Sequence, residues 1–205
     1  MTAAYRIVTN RLVIRCWSPT DAPLLSLAIE ASMEHLRPWM PWIAGEPKTI
    51  DARMAFMRSM RAQFDTDEEY VYGIFDAEEK NVLGGTGLHR RVGPRAFEIG
   101  YWVHAAHINR GIATEVSGAL TRVGFAIHDA LRMEIHCDPK NERSAAVPRK
   151  LGYRYDGTLR GRLVQNDETL RDTMVWTLQR AELPGAAAAA VSTRAYDALG
   201  RELLL

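Results

Sequence analysis

The middle of the chain contains, in order, a strand-like run, a short turn with one glycine and a helix-like run. This order constrains the fold more than any other feature of the sequence. Residues 97–103 have the apolar and aromatic composition of a strand, and residues 115–130 have the pattern of a helix. The turn at 108–114 places unpaired backbone N–H groups at the positive end of that helix. Gly111 lets a ligand approach the backbone, and the small Ala113 keeps the next turn open. This turn can be a phosphate or pyrophosphate site, and an ordinary strand-to-helix connection is the alternative.

The other segments predict a mixed α/β fold in which strands come first and a βαβα order follows. Strand patterns occupy residues 12–16, 70–75, 81–88, 97–103, 132–138, 153–155 and 173–178. Helix patterns occupy residues 19–33, a segment capped by Thr49, residues 115–130, and residues 142–150 before Gly152. Ser18 as N-cap with Asp21 predicts a capping box at the first helix.

Composition bounds the class of protein. A chain of 205 residues with 47% hydrophobic content can bury the core of one domain, and a net charge of +1 disfavours a nucleic-acid partner. Cys16 and Cys137 lie in strand patterns and offer neither a disulfide framework nor metal-ligand spacing. Neither a signal peptide nor a membrane-spanning apolar run is recognised, so we expect a soluble cytoplasmic protein without a membrane partner.

Two further segments carry a family resemblance. Residues 141–153 contain Asn-Glu-Arg-Ser and end in Leu-Gly-Tyr, and residues 35–42 read HLRPWMPW. Together with the glycine turn they resemble the GNAT superfamily of acetyl-CoA-dependent N-acetyltransferases, most closely the RimJ/RimL-like branch that acetylates ribosomal-protein N-termini. The resemblance covers roughly residues 5–182. It implies a mixed, mostly antiparallel sheet with splayed central strands flanked by helices, and acetyl-CoA as cosubstrate without a metal.

The resemblance also implies a cofactor site. Backbone N–H groups of residues 109–114 are expected to bind the CoA pyrophosphate, and the pantetheine arm is expected between two splayed strands. Ile108 departs from the family, which usually has Gln or Arg there, and this should weaken binding without abolishing it. The cofactor-binding residues implied by the resemblance are Tyr101, Trp102, Val103, Asn109, Arg110, Gly111, Ile112, Ala113, Thr114 and Asn141.

For the base that accepts the amine proton, the resemblance points to Glu98, acting directly or through a water. An α-amine with a pKa of roughly 7.8 is about one tenth neutral at pH 7, so it needs only modest help. Glu68 and Glu69 are the alternative bases. The structural alternative for Glu98 is an outward-facing strand carboxylate paired with Arg90 or Arg95.

The proton donor to the leaving thiolate is expected to be Ser144. Many family members have a tyrosine at the position of Pro148, which cannot donate a proton. An ordinary helix serine is the alternative for Ser144, and Tyr153 is the second candidate donor. A main-chain N–H near Tyr101 or Trp102 is expected to hold the oxyanion.

The Trp- and Pro-rich segment is expected to form a wall of the acceptor site. Trp39, Met40 and Trp42 would line it, because such a loop can present a rigid apolar surface beside the acetyl group. A hydrophobic plug over the sheet is the alternative. His104 and His107 flank the cofactor turn without carboxylate or cysteine partners, so we expect loop histidines and no metal site.

The amino-acid composition changes near the C-terminal end of the sequence, which becomes rich in alanine. Residues 1–182 are predicted to form the acetyltransferase domain, and residues 183–205 an alanine-rich extension. Val191, Ala195, Leu199 and Leu203 have helical spacing, which indicates a loosely held terminal helix. A docking helix, a homodimer contact and a disordered extension are the alternatives.

The resemblance implies acetyl transfer from acetyl-CoA to an amine by direct attack in a ternary complex, with a protein or peptide N-terminal α-amine as the expected acceptor. A small-molecule amine (an aminoglycoside, a polyamine or an amino-acid-like compound) and a non-catalytic acyl-CoA-binding module are the alternatives. Residues 31–80 hold ten acidic against six basic residues, which suits a cationic acceptor, and an ordinary solvated surface is the alternative. The turn has no Walker lysine and no Gly-x-Gly-x-x-Gly, so nucleotide hydrolysis and hydride transfer are not expected.

Overall fold

Ten strands form one sheet in the computed structural model of the chain, which describes residues 3–205. In chain order they are β1 Arg6–Val8, β2 Leu12–Cys16, β3 Tyr70–Asp76, β4 Val82–His89, β5 Ala96–Val103, β6 Arg132–Cys137, β7 Arg154–Val164, β8 Leu170–Gln179, β9 Arg194–Tyr196 and β10 Glu202–Leu203. Their order across the sheet is β10-β9-β1-β2-β3-β4-β5-β6-β8-β7. Each neighbouring pair is antiparallel except β5 and β6, which are parallel. The mixed, mostly antiparallel sheet predicted from the sequence is confirmed.

Helices cover both faces of the sheet. They are α1 Ala22–Glu30, α2 Met33–Leu36, α3 Ile50–Asp65, α4 Ile112–Ala126 and α5 Glu142–Leu151. One core cluster joins α4 and α5 to the face that carries Ile74, and a second joins α1 and part of α3 to the face that carries Phe75. Adjacent strand residues point to opposite faces, so the two clusters lie on the two sides of the sheet. Within residues 3–205, no helix is both long and apolar enough to cross a membrane.

The predicted helix caps are present. Ser18 and Asp21 form the capping box before α1, with the Ser18 N–H donating to the Asp21 carboxylate at 2.8 Å. Thr49 accepts a hydrogen bond from the Ala52 N–H at 3.3 Å and begins α3. Gly152 ends α5 in a left-handed conformation with φ 85°.

The first helix is shorter than predicted. It ends at Glu30, and a separate short helix, α2, begins at Met33. Ser32, between the two helices, is fully buried, and its hydroxyl accepts a hydrogen bond from the Ala105 N–H at 3.0 Å. This contact fastens the break between the helices to the chain that follows β5.

The hairpin of β7 and β8 is longer than the sequence pattern predicts. The predicted strands cover only 153–155 and 173–178, whereas β7 has 11 residues and β8 has 10. Most of β7 is exposed, so it lacks the apolar alternation by which a half-buried strand is recognised. The tip of the hairpin contacts the Trp- and Pro-rich segment of residues 35–42, called the Trp-rich segment below. There the Asn166 side-chain amide donates to the Pro41 carbonyl at 2.9 Å.

The prediction of a terminal helix in residues 183–205 is wrong. Two short 3-10 turns lead into β9 and β10, and β9 pairs with β1. Ala188 and Ala195 are fully buried, and Val191 packs directly over Gly118 of α4. The helical spacing of apolar residues therefore arises from separate contacts along an extended path.

Candidate active site

The turn before α4 leaves a run of backbone N–H groups without partners. Gly111 is the N-cap with φ 77°, and Asn109 has φ 60°. Left-handed residues of this kind let successive N–H groups converge on an anion. Within the described chain no N–H from residue 109 to 114 has an acceptor, and the first bond of the helix runs from the Glu115 N–H to the Gly111 carbonyl. The geometry therefore fits a diphosphate.

The turn between β1 and β2 forms hydrogen bonds to the turn at residues 108–114, here called the cofactor turn, and to the first turn of α4. Glu115 accepts hydrogen bonds from the Thr9 hydroxyl at 2.6 Å and from Arg11 at 2.5 Å. Arg11 also donates to the Arg110 carbonyl at 3.2 Å, and its guanidinium lies 3.7 Å from the position of a Cβ on Gly111. Arg11 thereby brings a positive charge to the edge of the free N–H groups.

Strands β5 and β6 diverge beside this turn, as predicted. Their parallel pairing joins only residues 96–98 to residues 132–134. Beyond that point the β6 side of β5, from residue 99 to 103, has no strand partner. Tyr101, Trp102 and Val103 lie on this open stretch, whose unpaired backbone groups can bind an extended arm.

Two hydroxyl groups meet at this gap. The Tyr101 hydroxyl lies 2.9 Å from Ser144 Oγ, and Asn141 caps α5 by accepting a hydrogen bond from the Ser144 N–H at 3.1 Å. Burial raises the pKa of Tyr101 well above its ordinary value, so its proton is retained. Burial also raises the pKa of the nearby Cys137 thiol to about 11. Pro148 lies buried in α5.

The front face of the sheet is the face opposite α4 and α5. It carries His89, Glu98, Gly100, Trp102 and His136. Because Tyr101 points to Ser144 of α5, its neighbours along β5 must point the other way. The front face therefore borders the gap between β5 and β6 on the side opposite α4.

Glu98 is buried on the front face and forms an ion pair with the exposed Arg91. Arg91 donates two hydrogen bonds to its carboxylate at 2.6 and 2.7 Å, and His136 Nδ1 lies 3.4 Å away. Burial alone would raise the pKa of Glu98, but the hydrogen bonds and charge of Arg91 outweigh it and leave the pKa below its ordinary value. The alternative prediction that Arg90 or Arg95 pairs with Glu98 is wrong, because Arg90 contacts Tyr70 and Arg95 contacts Asp129.

Glu69 and His89 form a second pair beside Glu98. The Glu69 carboxylate lies 2.8 Å from His89 Nδ1. The imidazole lies over two glycines: a Cβ on Gly87 would come within 3.0 Å of the ring, and one on Gly100 within 2.9 Å of Nε2. The absence of side chains at these positions lets the ring extend past Glu98 toward the open stretch of β5. Glu68, the other alternative base, is exposed.

A cleft of about 310 Å³ separates the Trp-rich segment from the β7–β8 hairpin. Trp39 and Met40 line one wall. On the other wall Arg171 donates to the Trp39 carbonyl at 3.0 Å. Trp42 lies outside this cleft and packs edge-on against Trp102 of the front face, with ring centroids 6.2 Å apart. The three predicted acceptor-site residues are thus divided between the cleft and the adjoining front face.

The two histidines near the cofactor turn contact each other. The ring centroids of His104 and His107 are 5.3 Å apart, and His104 Nδ1 accepts a hydrogen bond from the Ala106 N–H at 3.1 Å. His104 thus caps a short 3-10 turn. In the part of the chain that the structure describes, no three His, Cys, Asp or Glu side chains gather as a metal-ligand cluster.

Three side chains of this region were missed from the sequence. Arg11 and Arg171 come from segments far from the motifs, and their types carry no distinguishing signal. His89 did have a signal. Gly85 and Gly87 precede it at alternate positions of one strand pattern, which keeps a single face of the strand clear.

Comparisons with known proteins identify the family. The Acetyltransferase (GNAT) domain family matches residues 11–154. A Bacillus subtilis (strain 168) protein, the candidate ribosomal N-acetyltransferase YdaF, is 27% identical over 181 residues, covering 87% of this chain and 96% of that protein. The ribosomal protein uS5-alanine N-acetyltransferase of Escherichia coli (strain K12) is 25% identical over 158 residues, covering 74% and 79%.

A solved structure shows the same fold. Mycobacterium smegmatis RimJ in complex with CoA-disulfide shares the fold, with a TM-score of 0.78 at 24% identity and coverage of 92% of this chain and 91% of that one. The family match spans well over half of the chain. The chain therefore belongs to the GNAT family of acetyl-CoA-dependent N-acetyltransferases, in its RimJ/RimL-like branch.

Proposed function

We propose that this N-acetyltransferase acts on the α-amine of a protein or peptide N-terminus. The observation that carries the proposal is the cleft between the Trp-rich segment and the β7–β8 hairpin, which lies next to the front face. An extended chain end can occupy such a cleft and direct its amine toward the open stretch of β5. The relative from Escherichia coli is named for an acceptor of this class.

The chain's own groups would hold the cofactor on the opposite side of the gap. Free N–H groups of residues 109–114 bind the diphosphate, assisted by the Thr114 hydroxyl and Arg110. Arg11 adds a cation where the family usually has a Gln or Arg in place of Ile108. The side-chain amide of Asn141 contacts the pantetheine arm. When bound, acetyl-CoA supplies the acetyl thioester.

The reaction needs three groups around the thioester carbonyl. A main-chain N–H near Tyr101 or Trp102 holds the oxyanion as the amine nitrogen bonds to the carbonyl carbon. A base on the front face, which carries the Glu98 carboxylate, removes the proton from the approaching amine. Ser144, hydrogen-bonded to Tyr101, donates a proton to the thiolate as the C–S bond breaks.

An acceptor panel tests the proposed substrate class. Thiol release from acetyl-CoA is measured with free N-terminal peptides, with the same peptides blocked at the N-terminus but carrying a lysine, and with an aminoglycoside, a polyamine and a free amino acid. We expect the fastest release with free N-termini and one acetyl group on the α-nitrogen by mass spectrometry. Faster transfer to a small amine would move the function to that class. CoA binding without transfer to any amine would favour the non-catalytic module.

An Arg171→Met variant tests whether the cleft holds the acceptor. Losing the bond to the Trp39 carbonyl leaves one wall unsupported, so we expect KM for the peptide to rise about tenfold and KM for acetyl-CoA to stay unchanged. Arg162→Met is the matched control, because Arg162 is exposed on the same hairpin and makes no hydrogen bond or ion pair within the described residues. Equal effects of the two variants would exclude the cleft as the acceptor site.

A further inference from the structure

We propose that His89 is the general base that removes the proton from the attacking amine, and that Glu69 is its positioning residue. The inference rests on the acetyl transfer proposed above and deepens it. It is carried by the Glu69–His89 hydrogen bond and by the place of the imidazole over Gly87 and Gly100 on the front face.

The hydrogen bond to Glu69 determines which nitrogen of His89 carries the proton. An ionised carboxylate can only accept a hydrogen bond, so Nδ1 of His89 must be the donor at 2.8 Å. In the neutral ring Nε2 is then the nitrogen with a free lone pair. No protein group within residues 3–205 hydrogen-bonds to Nε2, and 22% of the side chain is exposed. His89 therefore presents a free proton acceptor in a fixed orientation.

The free nitrogen lies where the amine must arrive. Nε2 is 2.9 Å from the position of a Cβ on Gly100, so it sits directly above that residue on the front face. Gly100 is two residues beyond Glu98, the last residue of β5 that pairs with β6. The nitrogen is thus level with the beginning of the open stretch of β5, next to Tyr101 and its bond to Ser144.

Glu98 is less suited to the same task because its carboxylate is already occupied. Both of its oxygens accept hydrogen bonds from Arg91, so a proton could be taken only by weakening that pair. The charged and titratable groups around His89 are Glu69 before β3, Arg91 after β4, Glu98 of β5 and His136 of β6. His136 Nδ1 faces the Glu98 carboxylate at 3.4 Å, whereas His89 Nε2 lies over Gly100 at the start of the open stretch of β5.

The proton balance of the step is complete without another reactant. An ammonium group loses one proton to Nε2, and His89 becomes an imidazolium stabilised by Glu69. The freed lone pair forms the C–N bond, the C–S bond breaks, and its electron pair leaves on sulfur. Ser144 protonates the thiolate, and the second proton lost by the nitrogen restores the Ser144 hydroxyl, so one proton in total is released. The imidazolium then returns its proton to solvent through the exposed side of the ring.

A comparison of acceptors with different basicity tests the assignment. We expect His89→Gln to lower kcat/KM for an N-terminal peptide about 10²-fold at pH 7, with KM for acetyl-CoA unchanged. The loss should shrink toward alkaline pH and nearly vanish for a weakly basic amine that is already neutral at pH 7. Glu69→Gln should give a smaller loss with the same dependence, because the ring keeps its lone pair but loses its orientation. A purely structural role would lower the rate equally for both acceptors at every pH.

Glu98→Gln provides the parallel arm of the experiment. If its loss depends on acceptor basicity and that of His89→Gln does not, Glu98 is the base and the assignment is overturned. A wild-type rate in His89→Gln, or a loss independent of pH and acceptor, also overturns it and leaves the proposed function standing. A wild-type chain that acetylates no amine would overturn the proposed function, and the assignment with it.

Discussion

His128 is buried among aromatic rings, and this environment favours its neutral form. Its ring centroid lies 4.1 Å from that of Tyr70 and 5.6 Å from that of Phe97. Neither ring nitrogen has a hydrogen-bond partner in the described chain. Burial, reinforced by the charge of Arg90, lowers the pKa of His128 to about 4. Protonation therefore favours the unfolded chain, where the ring is free.

We predict an acid-sensitive stability that depends on this residue. The folded pKa lies below the unfolded value of about 6.5, so the unfolded chain binds more protons between these values and stability falls as pH drops through this window. His128 should account for about 2 kcal/mol of lost unfolding free energy between pH 7 and pH 5. Urea unfolding at both pH values measures it, and His128→Phe should flatten the pH dependence. Parallel pH dependences of the two proteins would contradict this role.

At the scale of single residues, motif positions could be predicted from the sequence but their partners could not. The family resemblance points to Glu98 in the sequence, yet its partner is Arg91 and not Arg90 or Arg95. Arg91 lies in the turn between β4 and β5. Arg95 of the same turn has a left-handed conformation with φ 51°, which no local sequence pattern predicts. His89 was passed over because its partner, Glu69, is twenty positions away.

Elements with caps and clear periodicity were predicted well, and exposed strands were not. Thr49, Asn141 and Gly152 mark the ends of helices through short-range chemistry that the sequence shows directly. The long β7–β8 hairpin was missed because both faces of β7 are largely exposed, so hydrophobic alternation carries little information there. In residues 183–205, burial against α4 and β1 overrides the helical spacing.

The cofactor turn allows a prediction at the scale of the element. Gly111→Ala forces a side chain into a left-handed residue at φ 77°, which costs about 1–2 kcal/mol, and places it beside Arg11. We expect KM for acetyl-CoA to rise several-fold and the unfolding midpoint to fall. Gly185→Ala is the control, since a Cβ there meets no atom within 4 Å. If both variants bind acetyl-CoA like the wild type, the N-cap of α4 does not contact the cofactor.

In the whole molecule, the sheet separates the proposed cofactor site from the proposed acceptor site. The cofactor turn and α4 lie on one side of the β5–β6 gap, and the front face with its cleft lies on the other. The gap is the place where a thioester and an amine can meet. This division follows from strand pairing over long sequence distances, so the sequence could indicate it only through the family resemblance.

The C-terminal segment is part of the same sheet, which leads to a prediction for truncation. Removing residues 183–205 exposes the edge of β1 and uncovers Gly118 of α4, which Val191 covers. It also removes the Arg122 bond to the Val191 carbonyl at 2.7 Å. We expect a large drop in the thermal unfolding midpoint and aggregation of the truncated chain. A wild-type midpoint would support the predicted end of the domain at residue 182.

The most direct test of the account is a crystal structure of the chain with coenzyme A and an N-terminal peptide. We expect the diphosphate oxygens within hydrogen-bond distance of the N–H groups of residues 109–114. The sulfur should lie between β5 and β6 at the level of Tyr101, and the peptide amine on the front face. A diphosphate bound elsewhere, or β5 and β6 paired through Val103, would contradict the account.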